Sequence, residues 1–80
     1  MRLMKNSERI LFDINKIDIS FKDIENIEFN SKEKEIIERA KSYKYDSKYY
    51  LEKGDEMTSF GCITYSHGLI DALKMIYGII

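Results

Sequence analysis

The segment "LEKGDE", residues 51–56, decides the fold, because it ends one predicted helix and starts the next within a few residues. Gly54 suits the left-handed backbone position that follows a helix, where a side chain would be strained. Asp55 can then cap the next helix by accepting a backbone N–H bond. So short a connection predicts an antiparallel helical hairpin formed by residues 32–53 and 56–77.

The first helix of this hairpin has a clear beginning and an apolar stripe. Asn30 or Ser31 can cap its start, and Asn30 and Glu33 have the spacing of a capping box, in which each side chain bonds the backbone N–H of the other residue. A helix packs its apolar stripe against its neighbours, so the stripe predicts the inward face. The predicted stripe consists of Ile36, Ala40, Tyr43, Ser47, Tyr50 and Leu51.

The second helix of the hairpin is apolar around most of its circumference. Gly61 and Gly68 lie seven residues apart on one side of it. A glycine inside a helix costs about 1 kcal/mol relative to alanine, so we predict that another backbone approaches closely at these two positions. The predicted broad inward face consists of Cys62, Tyr65, Leu69, Ala72, Leu73 and Ile76, extended by Ile63, Ile70 and Tyr77.

A third helix is predicted upstream of the hairpin. Apolar residues recur there with alternating spacings of four and three, which is typical of a helix packed in a bundle. They are Ile10, Ile14, Ile17, Phe21 and Ile24. The alternation in "DINKIDISF", residues 13–21, is also compatible with a strand, but the apolar seam continues without a turn signal and favours a helix. The sequence therefore predicts an all-α protein, a small antiparallel bundle of about three helices in a single domain, residues 1–80.

The composition excludes several classes of protein. The chain has 80 residues, no proline, a net charge of −1 and one cysteine, Cys62. One cysteine excludes an internal disulfide and a cysteine-based zinc site, and the charge excludes a general polycation. No apolar run is long enough for a signal peptide or a membrane span. We predict a cytoplasmic protein with no membrane segment, no cofactor and no metal site.

The apolar residues exceed what one small core needs. Phe12 and Ile19 lie off the seam of the first helix, and the chain ends in the apolar segment "MIYGII", residues 75–80. Such a surplus predicts a homo-oligomer or a protein partner. The alternative is that these side chains fold back onto the single core.

Residues 40–78 resemble a family of small archaeal proteins catalogued as domain of unknown function 357. The resemblance rests on Tyr43, Asp46, "KYYLEKGD" (residues 48–55), Phe60, "YSHG" (residues 65–68) and "LIDA" (residues 69–72). Ser59 and Ser66 stand where the family pattern has alanine. The resemblance implies a helical bundle and an archaeal source, and it implies no activity.

The only histidine belongs to a candidate polar cluster of Asp46, His67 and Asp71. His67 and Asp71 are four residues apart, so they share one side of a helix, and the hairpin could bring Asp46 to them. A carboxylate that orients an imidazole is a common part of general-base sites. The alternative is an ordinary solvated side of the helix. We expect a structural role, with His67 and Asp71 joined to each other or to the first helix of the hairpin.

A basic edge on the first helix of the hairpin is the candidate nucleic-acid site. It consists of Lys41, Lys44, Tyr45, Lys48 and Tyr49. Lysines that contact phosphates and aromatic rings that stack on bases are the usual elements of single-strand binding. The alternative is a solvated face whose lysines are partly neutralised by neighbouring glutamates.

The predicted function is a non-enzymatic interaction module that self-associates or docks a partner. The alternative is RNA or nucleotide binding through the basic edge. An enzyme that uses Asp46, His67 and Asp71 is the third hypothesis, because no nucleophile accompanies them: Cys62 falls on an apolar face, where thiols are usually inert.

Overall fold

The computed structural model of the chain describes residues 4–80 and contains three helices in this range, with no strand. They are α1 (Asn6–Asp23), α2 (Ser31–Glu52) and α3 (Glu56–Ile76). The side-chain bonds between α1 and α3 join residues 51 or 54 positions apart, so these two helices are parallel. Short connections make α2 antiparallel to both. The predicted all-α bundle and its hairpin are confirmed, and "DINKIDISF" is helical.

The turn between α2 and α3 has the predicted geometry. Gly54 has a φ of 82°, and its N–H bonds the carbonyl of Leu51 at 3.1 Å while the N–H of Asp55 bonds the carbonyl of Tyr50 at 2.9 Å. This pair of bonds is a Schellman motif. The Asp55 carboxylate accepts the backbone N–H of Thr58 at 3.1 Å and caps α3. Asp55 thus ends one helix and starts the next, which fixes the hairpin.

A hydrogen bond joins the start of α2 to the end of α3. The Asn30 side chain accepts the backbone N–H of Glu33 at 2.8 Å, and the Glu33 carboxylate accepts the N–H of Asn30 at 3.0 Å, as the capping box predicts. The Tyr77 hydroxyl donates to the same Glu33 carboxylate at 2.6 Å. This bond raises the pKa of the Tyr77 phenol, and its ring packs edge-on against Phe29.

The core lies where all three helices meet. It contains the seam of α1 as predicted, apart from Phe21, which is half-buried against it. The predicted inward face of α3 is partly wrong, because four of its residues are exposed: Tyr65, Ala72, Ile76 and Tyr77. Apolar residues surround most of α3, so their period alone does not select one side. The buried hydrophobic residues are Ile10, Ile14, Ile17, Ile24, Ala40, Ile63, Ile70 and Leu73.

Small residues form a tight seam between α2 and α3. Ala40, Ser47, Ser59 and Ser66 are all fully buried there. The Ser66 hydroxyl donates to the Ala40 carbonyl at 2.7 Å. Ser59 and Ser47 each donate to the carbonyl of the other, at 2.7 and 2.8 Å. Because each buried hydroxyl has a partner on the opposite helix, serine fills these positions without an unpaired polar group.

The close approach between backbones occurs at this serine–alanine seam, and our prediction that it occurs at Gly61 and Gly68 is wrong within the chain. A Cβ added at either glycine would meet no atom within 4 Å. Both glycines are exposed on the opposite side of α3. Two residues that weaken a helix therefore have no packing role in the bundle itself.

Candidate functional site

The outer face of α3 is an exposed and uncharged helix surface. Its residues recur at the helical period on the side turned away from the core. The same helix carries exposed charges only at Glu56 and Asp71, and both lie toward α1 by the helical spacing. The outer face of α3 consists of Met57, Gly61, Thr64, Tyr65, Gly68, Ala72, Met75 and Ile76.

The exposed surface of α2, a helix of nearly equal length, differs from the outer face of α3. A helix surface in contact with water normally carries charged side chains. Most exposed residues of α2 are charged, and they are Lys32, Lys34, Glu35, Glu38, Arg39, Lys41, Asp46, Lys48 and Glu52. The outer face of α3 therefore lacks the charged side chains that α2 presents to water.

A cleft adjoins the outer face of α3 at Met57, near the start of the helix. Its volume is about 450 Å³, within the range of ligand pockets. Its polar groups are those of an ordinary surface, with one arginine and one glutamate on opposite walls. The cleft lies between the first turns of α1 and α3, and its lining residues are Asn6, Arg9, Ile10, Glu56, Met57 and Phe60.

His67 joins α3 to α1. Its Nε2 lies 2.9 Å from the backbone carbonyl of Asp13, so this nitrogen carries a proton and donates it to the carbonyl. Our prediction that His67 bonds Asp71 or the first helix of the hairpin is wrong. No hydrogen bond or ion pair within residues 4–80 connects His67 to Asp46 or Asp71. A backbone carbonyl partner leaves no signal in the sequence, which is why spacing pointed to Asp71.

The other two members of the candidate polar cluster, Asp46 and Asp71, are exposed. Asp46 belongs to α2 and lies near Cys62 of α3. Burial raises the pKa of the Cys62 thiol, and the negative charges of Asp46 and Asp55 raise it further. A thiol with a raised pKa is a poor nucleophile. Within residues 4–80, no three His, Cys, Asp or Glu side chains lie close enough to hold a metal ion.

Lys74 is a buried charge that the sequence did not single out as a partner of α1. Its ammonium donates to Asp23 at 2.9 Å and to the Ser20 hydroxyl at 3.2 Å. With the bond from His67, these contacts tie α3 to α1 at two levels of the bundle. A lysine beside apolar residues gives no sequence signal of burial, because lysine is usually exposed.

The basic edge of α2 contains one lysine fewer than predicted. The Lys44 ammonium forms an ion pair with Asp18 of α1, and its side chain is only 15% exposed. Lys41 pairs with Glu38 at 3.6 Å and stays accessible. The remaining predicted members, Tyr45, Lys48 and Tyr49, are exposed.

A family model described as protein of unknown function (DUF357) matches residues 13–79. The chain belongs to the DUF357 family. The match covers most of α1 and all of α2 and α3, so it extends the resemblance seen in residues 40–78 to all three helices. No curated protein matches the DUF357 chain. None of the helices described in residues 4–80 combines the length and the apolar character needed to cross a membrane.

Proposed function

We propose that this DUF357 protein is a non-enzymatic interaction module that binds another protein chain through the outer face of α3. The observation that carries the proposal is the absence of charge along this exposed face, beside an α2 surface that is rich in charge. Covering apolar surface is the main favourable contribution to most protein association. Covering the exposed apolar side chains of this face with another molecule removes them from water, which favours association.

The bundle also holds α3 rigidly, which suits a binding surface. Ser59 and Ser66 bond α2, His67 and Lys74 bond α1, and Tyr77 bonds the start of α2. A surface that is already ordered loses little conformational entropy on binding, so more of the contact energy appears as affinity. Four polar side chains of α3 thus have structural roles: Ser59, Ser66, His67 and Lys74.

The separation of the candidate polar cluster favours binding over catalysis. His67 is bonded to a backbone carbonyl on the α1 side, while Asp46 lies near Cys62 on the α2 side. General-base catalysis needs the base within hydrogen-bond reach of both its orienting group and its proton donor. The protonated Cys62 thiol supplies no nucleophile.

Photo-crosslinking in cells of the source organism tests the proposal. A p-benzoylphenylalanine residue replaces Tyr65, which lies on the outer face of α3, or Tyr45, which is the matched control on α2. Both tyrosines are exposed, so both probes report what contacts their surface. We expect discrete protein adducts from position 65 and none of equal yield from position 45. A position 65 probe without protein adducts would reject the proposed function.

Nucleic-acid binding through the basic edge is a second candidate. Lys41, Tyr45, Lys48 and Tyr49 remain accessible on one side of α2, which supports it. The withdrawal of Lys44 into an ion pair with Asp18 weakens it, because each lost phosphate contact lowers affinity.

A further inference from the structure

We infer that the partner of the outer face of α3 is a second copy of the chain, bound so that the two α3 helices are antiparallel. The inference rests on the proposed function and adds the identity and orientation of the partner. Three properties of the chain support it: its surface area, the position of its two helical glycines, and the placement of charge along α3.

The exposed area is larger than that of a compact monomer. The chain exposes 5921 Å², whereas a folded monomer of its mass, 9.5 kDa, exposes about 5,000 Å². The radius of gyration is 13.4 Å, compared with about 11.6 Å for a compact domain of this length. The excess area of roughly 900 Å² is of the same order as the roughly 800 Å² that each partner buries in a stable interface. Exposed side chains of the outer face of α3, among them Met57, Met75 and Ile76, contribute to this area, and pairing two copies through that face would bury their share.

Gly61 and Gly68 fit a close contact between two copies of α3. Neither glycine packs against any atom of its own chain, and both lie near the middle of the outer face of α3. In an antiparallel pair with its two-fold axis between Thr64 and Tyr65, Gly61 of one copy lies opposite Gly68 of the other. Without side chains at these points the helices can approach closely, so that Tyr65 packs beside the contact. The two-fold axis makes the interface self-complementary.

The charge on α3 favours the antiparallel orientation. A parallel pair in register would hold Asp71, at the α1 edge of the contact, at the same level along the axis as Asp71 of the other copy, and would align the two helix dipoles. In the antiparallel pair these carboxylates are separated by roughly 20 Å along the axis, from a rise of 1.5 Å per residue. Salt screens charges at that distance, because the Debye length is about 8 Å at physiological ionic strength.

Sedimentation equilibrium of the purified chain tests the inference. We expect a mass of twice 9.5 kDa at micromolar concentrations. The variant Gly61→Lys with Gly68→Lys should be a monomer, because it places charge in the centre of an apolar contact. Lysine forms helix better than glycine, so this variant should also stay helical by circular dichroism. The matched control, Ser42→Lys with Tyr49→Lys, has the same spacing on the exposed surface of α2 and should remain a dimer.

A disulfide cross-link tests the orientation. In a Cys62→Ser background, Thr64→Cys places one thiol beside the proposed two-fold axis, where it meets the same residue of the other copy. Oxidation should give a dimer in high yield, and Lys48→Cys on α2 should not.

A monomeric wild-type chain, or an unchanged dimer in the double-lysine variant, would overturn the inference. If the chain is monomeric while the probe at Tyr65 captures a different protein, the proposed function stands without the second copy. A monomer whose probe captures nothing would reject both.

Discussion

Replacing Ser66 by leucine tests the seam between α2 and α3, which determines how closely the hairpin packs. Ser66 is fully buried, and its hydroxyl donates to the Ala40 carbonyl at 2.7 Å. Leucine is larger than serine by two heavy atoms and cannot make this bond. The small residues at the neighbouring positions, Ser47 and Ser59, are also fully buried, so the larger side chain must separate the two helices.

The expected loss of stability has two parts. Overpacking a well-packed core costs about 1–3 kcal/mol, and the lost hydrogen bond costs about 1 kcal/mol more. The free energy of unfolding should therefore fall by about 2–4 kcal/mol. In a domain of this size such a loss lowers the melting temperature by roughly 10–25 °C. Ser66→Ala keeps the seam narrow and should change the free energy of unfolding by at most about 1 kcal/mol.

Urea unfolding followed by circular dichroism measures these differences. The control is Ser42→Leu, the same substitution at an exposed position of α2, which should be nearly neutral. All variants are compared at one chain concentration, because a dimer is stabilised by mass action. If Ser66→Leu cost less than about 1 kcal/mol, the overpacking that the tight seam predicts would be absent and the seam would be refuted.

Three further variants test other parts of the structure. Hydrogen bonds from Thr58 lower the pKa of the Asp55 carboxyl in the folded chain. The ionised carboxylate therefore stabilises the fold fully above about pH 4, the pKa of an unfolded aspartate, and this stabilisation is lost as the pH falls through the lowered pKa of the folded state. Asp55→Asn caps without titrating and should flatten this loss in thermal melts at acid pH; an unchanged pH profile would contradict the capping role. Gly54→Ala should cost about 1–2 kcal/mol in urea unfolding, because alanine is strained at a positive φ, and a neutral effect would contradict the turn geometry. Lys41→Glu with Lys48→Glu should abolish any salt-dependent binding of single-stranded RNA, and a wild-type chain that binds none at low salt removes the second candidate function.

The helices and their order were predictable because their signals are local. The Schellman turn at Gly54, the cap at Asp55 and the capping box at Asn30 each depend on residues within a few positions of one another. The seam of α1 was predictable from its alternating spacings of four and three, although Phe12 and Ile19, which are also apolar, lie off the seam and are exposed.

The inward side of α3 was not predictable in the same way. Its core position Ile63 and its exposed residue Tyr65 are both apolar, so no contrast in hydropathy distinguishes them. Ser59 and Ser66 turn inward because their hydroxyls bond carbonyls of α2, and such a partner exists only after the helices have packed. Alanine at these positions in the family pattern was the available signal, since it indicates a narrow contact.

The candidate sites were harder to predict than the helices because their partners are distant in the chain. His67 bonds the carbonyl of Asp13, and Lys44 bonds Asp18 of another helix. Spacing along one helix pointed instead to Asp71 for the histidine and to a shared basic edge for the lysine. The surplus of apolar residues in α3, in contrast, was visible in the composition of the segment, although the sequence placed Tyr65, Ala72 and Ile76 on the inward side and not on the outer face.

Methyl NMR of the methionines in the presence of a soluble paramagnetic agent tests most directly whether the outer face of α3 is covered. In the single chain, Met57 is 87% exposed, Met75 67% and Met4 50%, and Met4 lies outside that face. We predict that at high micromolar concentration the Met57 and Met75 methyl signals are attenuated less than that of Met4, and that dilution or the double-lysine variant reverses this order. Attenuation in the order Met57, Met75, Met4 at every concentration of the purified chain would contradict a face covered by a second copy.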